Sequence, residues 1–146
     1  MESLALNKKG DKLLYQDKKG YEDPWRKHHQ SSITRDIWLC TLGREHSFQK
    51  ITSFKGEDRN PVWATDGSSF YYLSEEKGSF NIFKNDLTGR NSRQITNHTM
   101  HPVRFLTSDN NGNLCYGYDG EIYTVKEGTQ PKKVDVQIIS DKVEND

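Results

Sequence analysis

The sequence lacks most of the features that mark membrane, secreted and nucleic-acid-binding proteins. Its 21 basic residues balance its 21 acidic ones, so the formal net charge is zero and offers no global attraction to nucleic acid or to an anionic membrane. No run approaches the roughly 18 apolar residues that a membrane helix needs. Charged residues interrupt segment 1–15, which therefore has no signal-peptide core. These absences predict no nucleic-acid partner and no membrane insertion.

Cysteine and aliphatic residues are also scarce. The two cysteines, Cys40 and Cys115, fall in predicted strands of different repeat units, so we expect buried free thiols rather than a disulfide. The apolar fraction is 32% and the mean hydropathy is −0.98, yet the chain has 3 Trp, 7 Tyr and 6 Phe. Disordered chains are poor in aromatic residues. Because no window shows a sustained helical period of apolar residues, this composition favours thin β-sheets over one thick core.

The clearest pattern that is present lies between Ile51 and Thr96. Four short apolar strings there are separated by three turn signals, and the dipeptide Ile-Thr at 51–52 recurs at 95–96, 44 residues later. The turn signals are Asp66-Gly67, Lys77-Gly78 and Thr88-Gly89. A self-similar unit of about 40–45 residues with four strands is typical of a β-propeller blade.

Less regular copies of this unit flank it on both sides. We place the first unit at residues 3–52 with an inserted loop at 18–35, the second at 53–96 and the third at 97–139, followed by a charged tail at 140–146. Together, residues 3–139 form a partial β-propeller in this interpretation. The spacing from Ile37 to Ile82 is 45 residues and that from Ile82 to Ile122 is 40 residues, which agrees with the repeat length.

The third unit departs furthest from the pattern. We align Pro102-Val103 with Pro61-Val62 as the start of its first strand, and we take 131–139 as its fourth strand. Between them, Asp119-Gly120 is a strong signal for a tight hairpin turn.

The string Phe70-Tyr71-Tyr72-Leu73 is apolar on both alternating faces. A lone antiparallel sheet in water alternates apolar with polar residues, so this strand should lie in a blade that is covered on both sides. We therefore expect Tyr71 and Leu73 to be as buried as Phe70 and Tyr72. The predicted fold is all-β, with about three four-stranded antiparallel blades. Because closed propellers have about four to eight blades, we expect them to belong to a larger six- or seven-bladed propeller.

The second unit resembles the propeller repeats of TolB and of tricorn-type serine peptidases. The residues that carry the resemblance are Pro61, Trp63, Asp66, Gly67, Gly78, Asn81, Ile82, Phe83, Gly89, Arg93, Gln94, Ile95 and Thr96. In the first unit, Lys8-Lys9 replaces the usual Pro-Asp before the turn glycine. The third unit lacks the tryptophan and the closing Ile-Thr.

The resemblance implies a propeller that precedes a tricorn-like peptidase region. In that family the propeller gates or guides peptide substrates, and the nucleophile and base lie in a separate C-terminal region. The expected function is therefore that of a non-catalytic segment acting in substrate access or in protein or peptide binding. Its expected partner is a protein or peptide, including the peptidase region of the same parent chain. The resemblance places the protein in a bacterium, in the periplasm or the cytoplasm.

Two other functions remain open from the sequence. The chain could be a stand-alone TolB-like interaction module that completes its propeller by forming a homodimer. It could also be a small hydrolase, although no Gly-x-Ser-x-Gly nucleophile motif occurs.

Candidate metal sites are weak, and we predict neither a metal nor a cofactor. The pair His98 and His101 has no acidic or cysteine partner in a recognisable pattern, and zinc needs three or four ligands. Residues 108–113 resemble part of a calcium loop, but the glutamate that should follow is missing.

The inserted loop contains the one candidate contact surface. Tyr21, Trp25 and Arg26 belong to residue types that are favoured at binding hot spots. The alternative is that Trp25 folds back on its own blade. The lysine-rich stretch 8–19 is interpreted as a solvated face.

Overall fold

The computed structural model describes residues 2–17, 35–52 and 56–135, in which every regular element is a β-strand. These strands form three four-stranded antiparallel sheets in which neighbours in sequence are neighbours in space. The first sheet contains β1 (Glu2–Leu6), β2 (Lys12–Gln16), β3 (Ile37–Thr41) and β4 (Ser47–Lys50). The second contains β5 (Asp58–Trp63), β6 (Ser69–Ser74), β7 (Asn81–Asp86) and β8 (Arg93–Gln94). The third contains β9 (Arg104–Ser108), β10 (Asn113–Tyr118), β11 (Glu121–Lys126) and β12 (Lys132–Lys133).

The three sheets, called blades 1 to 3 below, are arranged radially. The first strand of blade 2, β5, lies against β1 and β2 of blade 1 and against β9 of blade 3. The last strand of each blade lies on the outside. This arrangement confirms the predicted all-β fold of stacked blades. In the part of the chain that is described, no helix is long and apolar enough to cross a membrane.

Blade 2 is covered on both faces, as its sequence predicts. Phe70, Tyr71, Tyr72 and Leu73 are all 5% exposed or less, and alternate side chains enter two different cores. The core between blades 1 and 2 contains Leu14, Ile37, Leu39, Ile51, Phe70, Tyr72 and Phe83. The core between blades 2 and 3 contains Tyr71, Leu73, Ile82, Val103, Leu106, Leu114, Tyr116 and Val125.

The repeated Ile-Thr dipeptide closes each of the first two blades. The hydroxyl oxygen of Thr52 accepts a hydrogen bond from the Ile37 N–H at 2.9 Å, and the hydroxyl oxygen of Thr96 accepts one from the Ile82 N–H at 2.9 Å. In blade 3 the N–H of Val134 still donates to a carbonyl of the third strand, but no threonine is present. The threonine of the dipeptide therefore connects the segment that leaves the blade to the third strand by a hydrogen bond.

The first strand of every blade contains a β-bulge at the same place. Ser3, Asn60 and Phe105 have φ angles of 49°, 56° and 57°, and the pairing register of each first strand shifts around them. The bulge residues show which positions of the repeats correspond. Asn60 corresponds to Phe105, so the following residues, Pro61 and Leu106, correspond as well. Our alignment of Pro102-Val103 with Pro61-Val62 is therefore wrong by four residues, since the sequence pattern did not show the bulge.

The turn predicted at Asp119-Gly120 is confirmed. Both residues have positive φ angles, 51° and 72°, as a two-residue type I′ turn requires. The fourth strand of blade 3 is shorter than expected: it spans Lys132–Lys133 rather than 131–139, and the positions after 135 lie outside the described residues.

The two outer faces of the array are not covered within the described residues. Leu4, Leu6 and Phe48 are 56–60% exposed on blade 1, and Phe105 is 78% exposed on blade 3. Beside Phe105 lies a hollow of about 500 Å³ that reaches Ile122. Both cysteines are free thiols, as predicted, but only Cys40 is buried. Cys115 is half-buried because it lies on the uncovered face of blade 3.

Candidate functional site: an axial cleft

A cleft lies where the first hairpins of the three blades meet. Its volume is about 590 Å³. Each blade contributes the end of its first strand and part of the turn that follows: residues 5–9 from blade 1, 62–67 from blade 2 and 107–110 from blade 3. Because first strands are the innermost strands of this radial array, the cleft lies at one end of the central axis.

The floor of the cleft is apolar. It is formed by Ala5, Leu6, Val62, Trp63 and Ala64. The indole N–H of Trp63 donates a hydrogen bond to the Ala5 carbonyl oxygen at 2.7 Å. This bond joins the first strands of blades 1 and 2 and fixes the indole ring in the wall of the cleft.

The acidic side chains at the rim are already occupied by their own turns. The Asp66 carboxylate accepts hydrogen bonds from the N–H groups of Ser68 and Ser69 at 2.9 and 3.0 Å. Partial burial raises the pKa of Asp66, but these hydrogen bonds outweigh it and hold the pKa below its usual value. The Asp109 carboxylate accepts from the side chain and the N–H of Asn113, and the side-chain bond is the main reason why its pKa is lowered. Both groups stay ionised and brace their turns.

The basic side chains of blade 1 are not occupied in this way. Lys8, Lys9 and Lys12 line the cleft, and no carboxylate of the described residues lies within ion-pair distance of them. The turn that holds them is rigid, because the Asn7 side chain accepts from the N–H groups of Asp11 and Lys12 at 3.0 and 3.1 Å. The cleft therefore has one basic wall, an apolar floor and two braced acidic turns.

This arrangement can bind a ligand. The part of its lining that the structure describes contains no histidine and no cysteine, and its two carboxylates, Asp66 and Asp109, are bonded to their own turns. An apolar floor with polar groups at the rim suits recognition of an extended chain that carries both kinds of group.

The sequence did not reveal this site. Lys8 and Lys9 are exposed, in agreement with the interpretation of a solvated face, but the linear repeat pattern does not by itself place the three hairpins together. A usable signal was present in the turn glycines Gly10, Gly67 and Gly112, which mark the same end of each blade and all have positive φ angles. The predicted contact residues Tyr21, Trp25 and Arg26 lie outside the described residues.

The two histidines of the candidate metal pair have other contacts. The His98 ring stacks on Tyr118 with centroids 3.9 Å apart and forms a 2.8 Å hydrogen bond with the Tyr116 hydroxyl. Burial lowers the pKa of His98. The Nε2 atom of His101 lies 3.4 Å from the Oδ1 atom of Asp119. Within the described ranges, no three histidine, cysteine or acidic side chains are grouped closely enough to hold a metal ion.

The calcium-like stretch is a braced turn. Asp109 accepts three hydrogen bonds from within the stretch, from Asn111 and Asn113. These bonds account for the Asp-Asn pattern through turn chemistry.

Three radial antiparallel blades, with their innermost strands around an axis and a cleft at one end of it, define this chain as a β-propeller segment. The chain belongs to the family described as the tricorn protease N-terminal beta propeller domain, whose profile matches residues 1–131. This membership confirms the resemblance seen in the repeat motif.

The curated relatives are tricorn proteases. The chain is 27% identical over 126 residues to a tricorn protease homolog of Saccharolobus solfataricus. This match covers 85% of the chain and 11% of the relative. It is 25% identical over 111 residues to the tricorn protease of Thermoplasma volcanium, which covers 76% of this chain and 10% of that protein. The chain therefore spans about a tenth of the length of these relatives.

Solved structures show the same fold. A crystal structure of the tricorn protease superposes with a TM-score of 0.70 at 21% identity, covering 92% of this chain and 13% of that one. TolB from Acinetobacter baumannii superposes with a TM-score of 0.69 at 14% identity, covering 90% of this chain and 31% of that one.

Proposed function

We propose that this chain is a non-catalytic propeller segment of a tricorn-like serine peptidase and that its axial cleft binds peptide on the way to the peptidase region. The observation that carries the proposal is the cleft, which is built from the corresponding hairpins of three consecutive blades. The family membership and the protease names of the relatives support the wider context.

Peptide binding agrees with the chemistry of the cleft. Peptides present both carboxylates and apolar side chains, and the cleft offers the exposed lysines Lys8 and Lys9 beside an apolar floor. A site that serves passage must bind many sequences weakly. Contacts of this kind are sequence-tolerant, since they use charge and apolar area rather than an array of specific hydrogen bonds.

The test is peptide binding measured by fluorescence anisotropy with fluorescein-labelled random decapeptides. Thr65→Trp fills the cleft at its rim, and Lys9→Glu reverses one charge of its basic wall. Lys77→Glu is the matched control, because Lys77 is an exposed lysine of the hairpin at the opposite end of blade 2. We expect Thr65→Trp to weaken binding at least about tenfold and Lys9→Glu to weaken it mainly at low salt. Equal affinity in all four proteins, or no binding by any, would contradict the proposal.

A second candidate is a stand-alone interaction module in which two copies complete one propeller. The uncovered apolar residues at the two ends, including Leu4, Leu6 and Phe105, favour it. Sedimentation equilibrium distinguishes the two functions. A stable dimer supports self-completion, whereas an open reading frame that continues into further blades and a peptidase region supports the first proposal.

A further inference from the structure

The junction between blades 1 and 2 contains an acidic side chain where the next junction contains an apolar one. Asp58 begins β5, is only 1% exposed, and its N–H donates to the Arg35 carbonyl at 2.8 Å. Val103 takes the same place in blade 3, where its N–H donates to the Phe80 carbonyl at 3.0 Å. Neither carboxylate oxygen of Asp58 has a hydrogen bond of good geometry among the described residues, although the hydroxyls of Ser74 and Thr52 lie close to it.

Among the described residues, no cation forms an ion pair with the Asp58 carboxylate. Asp36 of blade 1 lies nearby and is also buried. One Asp36 oxygen is paired with Lys50 at 3.1 Å, and the other has no hydrogen-bond partner. Glu76 adds a further negative charge. On the remaining side, Arg35 is already paired with Glu57 at 2.7 Å.

A buried carboxylate without a partner is costly, and such a group usually takes up a proton instead. Burial is the main reason why the pKa of Asp58 is raised to about 7, and Asp36 and Glu76 raise it further, while the nearby hydroxyls of Ser74 and Thr52 act against the shift. Burial also raises the pKa of Asp36, with Lys50 acting against it.

We propose that the junction between blades 1 and 2 is a proton-controlled latch, closed while the buried Asp58 carboxyl is protonated and loosened when it loses its proton. Ionisation places a second negative charge beside Asp36 inside the packed interface. Blade 1 carries the lysine wall of the axial cleft, and Trp63 of blade 2 forms its floor. Loosening of this junction therefore acts on the cleft itself, through the Trp63–Ala5 hydrogen bond that spans the same two blades.

Other titrating groups affect stability in the opposite direction and must be separated from Asp58. His98 has a lowered pKa, so acid below about pH 6.5 destabilises the fold through it. Asp66 and Asp109 have lowered pKa values and act only at strongly acidic pH. A comparison of the wild-type chain with Asp58→Asn cancels these contributions, because only the titration of Asp58 and its coupling to Asp36 differ.

The experiment is urea unfolding of both proteins across the pH range. The folded pKa lies above the unfolded value of 3.8, so the extra stability of the protonated form is complete below about pH 4 and is lost as the pH rises through about 7. We expect the ratio of the wild-type unfolding constant to that of Asp58→Asn to rise about tenfold per pH unit over much of this interval and to level off above it. Asp135→Asn, at an exposed position after β12, should leave the profile unchanged. A ratio that does not vary with pH would overturn the proposal.

Two further measurements keep the test independent of how well one variant folds. Infrared spectra of the wild-type chain should show a protonated carboxyl band at about pH 6 that is absent at about pH 8, as expected for the titration of Asp58. Hydrogen exchange, corrected for its intrinsic pH dependence, should show that β2 and β3 lose more protection than β10 over the same interval. The absence of the infrared band, or an equal loss of protection in both blades, would contradict the latch. Because neither readout requires peptide, failure of the latch is distinguishable from failure of peptide binding.

Discussion

The side-chain amide of Asn60 in blade 2 pairs with both backbone groups of Leu106 in blade 3. Its nitrogen donates to the Leu106 carbonyl at 2.9 Å, and its oxygen accepts from the Leu106 N–H at 3.1 Å. The amide thus forms the two hydrogen bonds that the backbone of a neighbouring strand would form, and it joins two blades that belong to separate sheets. Its left-handed backbone, with φ of 56°, is one that asparagine tolerates better than most residues.

We expect Asn60→Gly to lower the free energy of unfolding by about 2 kcal/mol, since the change keeps the backbone conformation and removes two hydrogen bonds of about 1 kcal/mol each. Urea unfolding measures the loss. Asn110→Gly is the control, because Asn110 lies exposed in a turn and the change should be nearly neutral. Equal effects of the two changes would show that the pairing does not stabilise the junction.

Gly89 and Gly67 provide a matched pair for a steric prediction. Both have positive φ angles, 76° and 70°, but a methyl group on Gly89 would clash with the Ile51 carbonyl oxygen of blade 1, whereas one on Gly67 would meet nothing. Gly67→Ala should cost about 1 kcal/mol through backbone strain alone. Gly89→Ala should cost at least about 2 kcal/mol more, in the range of overpacking in a tight core. Thermal unfolding of both variants tests the difference, and similar melting temperatures would contradict it.

The Thr96 hydroxyl is buried and satisfied on both sides. It accepts from the Ile82 N–H and donates to the Asn81 side-chain oxygen, each at 2.9 Å. Thr96→Val keeps the shape but leaves the Ile82 N–H without its partner and removes one of the two hydrogen bonds to the Asn81 oxygen, which still accepts from the His98 N–H. The change should lower the free energy of unfolding by about 2 kcal/mol. Thr96→Ser retains the hydroxyl and should recover most of the stability. A larger loss in Thr96→Ser than in Thr96→Val would indicate that packing of the methyl group, which valine keeps, matters more than the hydroxyl.

Acid titration should reveal the turn carboxylates. The folded pKa of Asp66 lies below 3.8, so the ionised form favours the folded state. Its contribution is present above about pH 4 and is lost as the pH falls through the folded value. Asp66→Asn should therefore reduce the decline in the midpoint of urea unfolding between about pH 4 and pH 2. A decline as steep as that of the wild type would show that these turn hydrogen bonds do not favour the ionised form.

The sequence predicted the strands because their signals are local. The turn glycines fix where hairpins turn, and the two-faced apolar run at Phe70-Tyr71-Tyr72-Leu73 required cover on both sides. The Ile-Thr repeat predicted matching closures, and the hydroxyl contacts of Thr52 and Thr96 explain in physical terms why the repeat is threonine.

The features that the sequence did not reveal depend on contacts between blades. A bulge at Asn60 leaves no compositional trace, and the partner of its amide lies 46 positions further along the chain. Asp58 is followed by Arg59 and therefore looks like part of a charged surface turn. The lysines of the first hairpin are solvated, and only the radial arrangement places them around the same cleft as Trp63.

The two uncovered faces of this array differ, so its two ends are distinguishable. One end presents the leucines of β1, and the other presents Phe105 beside a hollow. At the junction of blades 2 and 3, the bulge residue of one blade, Asn60, binds the first strand of the next blade at Leu106. A further blade or a second copy that reproduces this junction adds head to tail, as in a heterologous assembly, which ends either in a closed ring or in an open filament. A pair that buries two identical faces would not reproduce it.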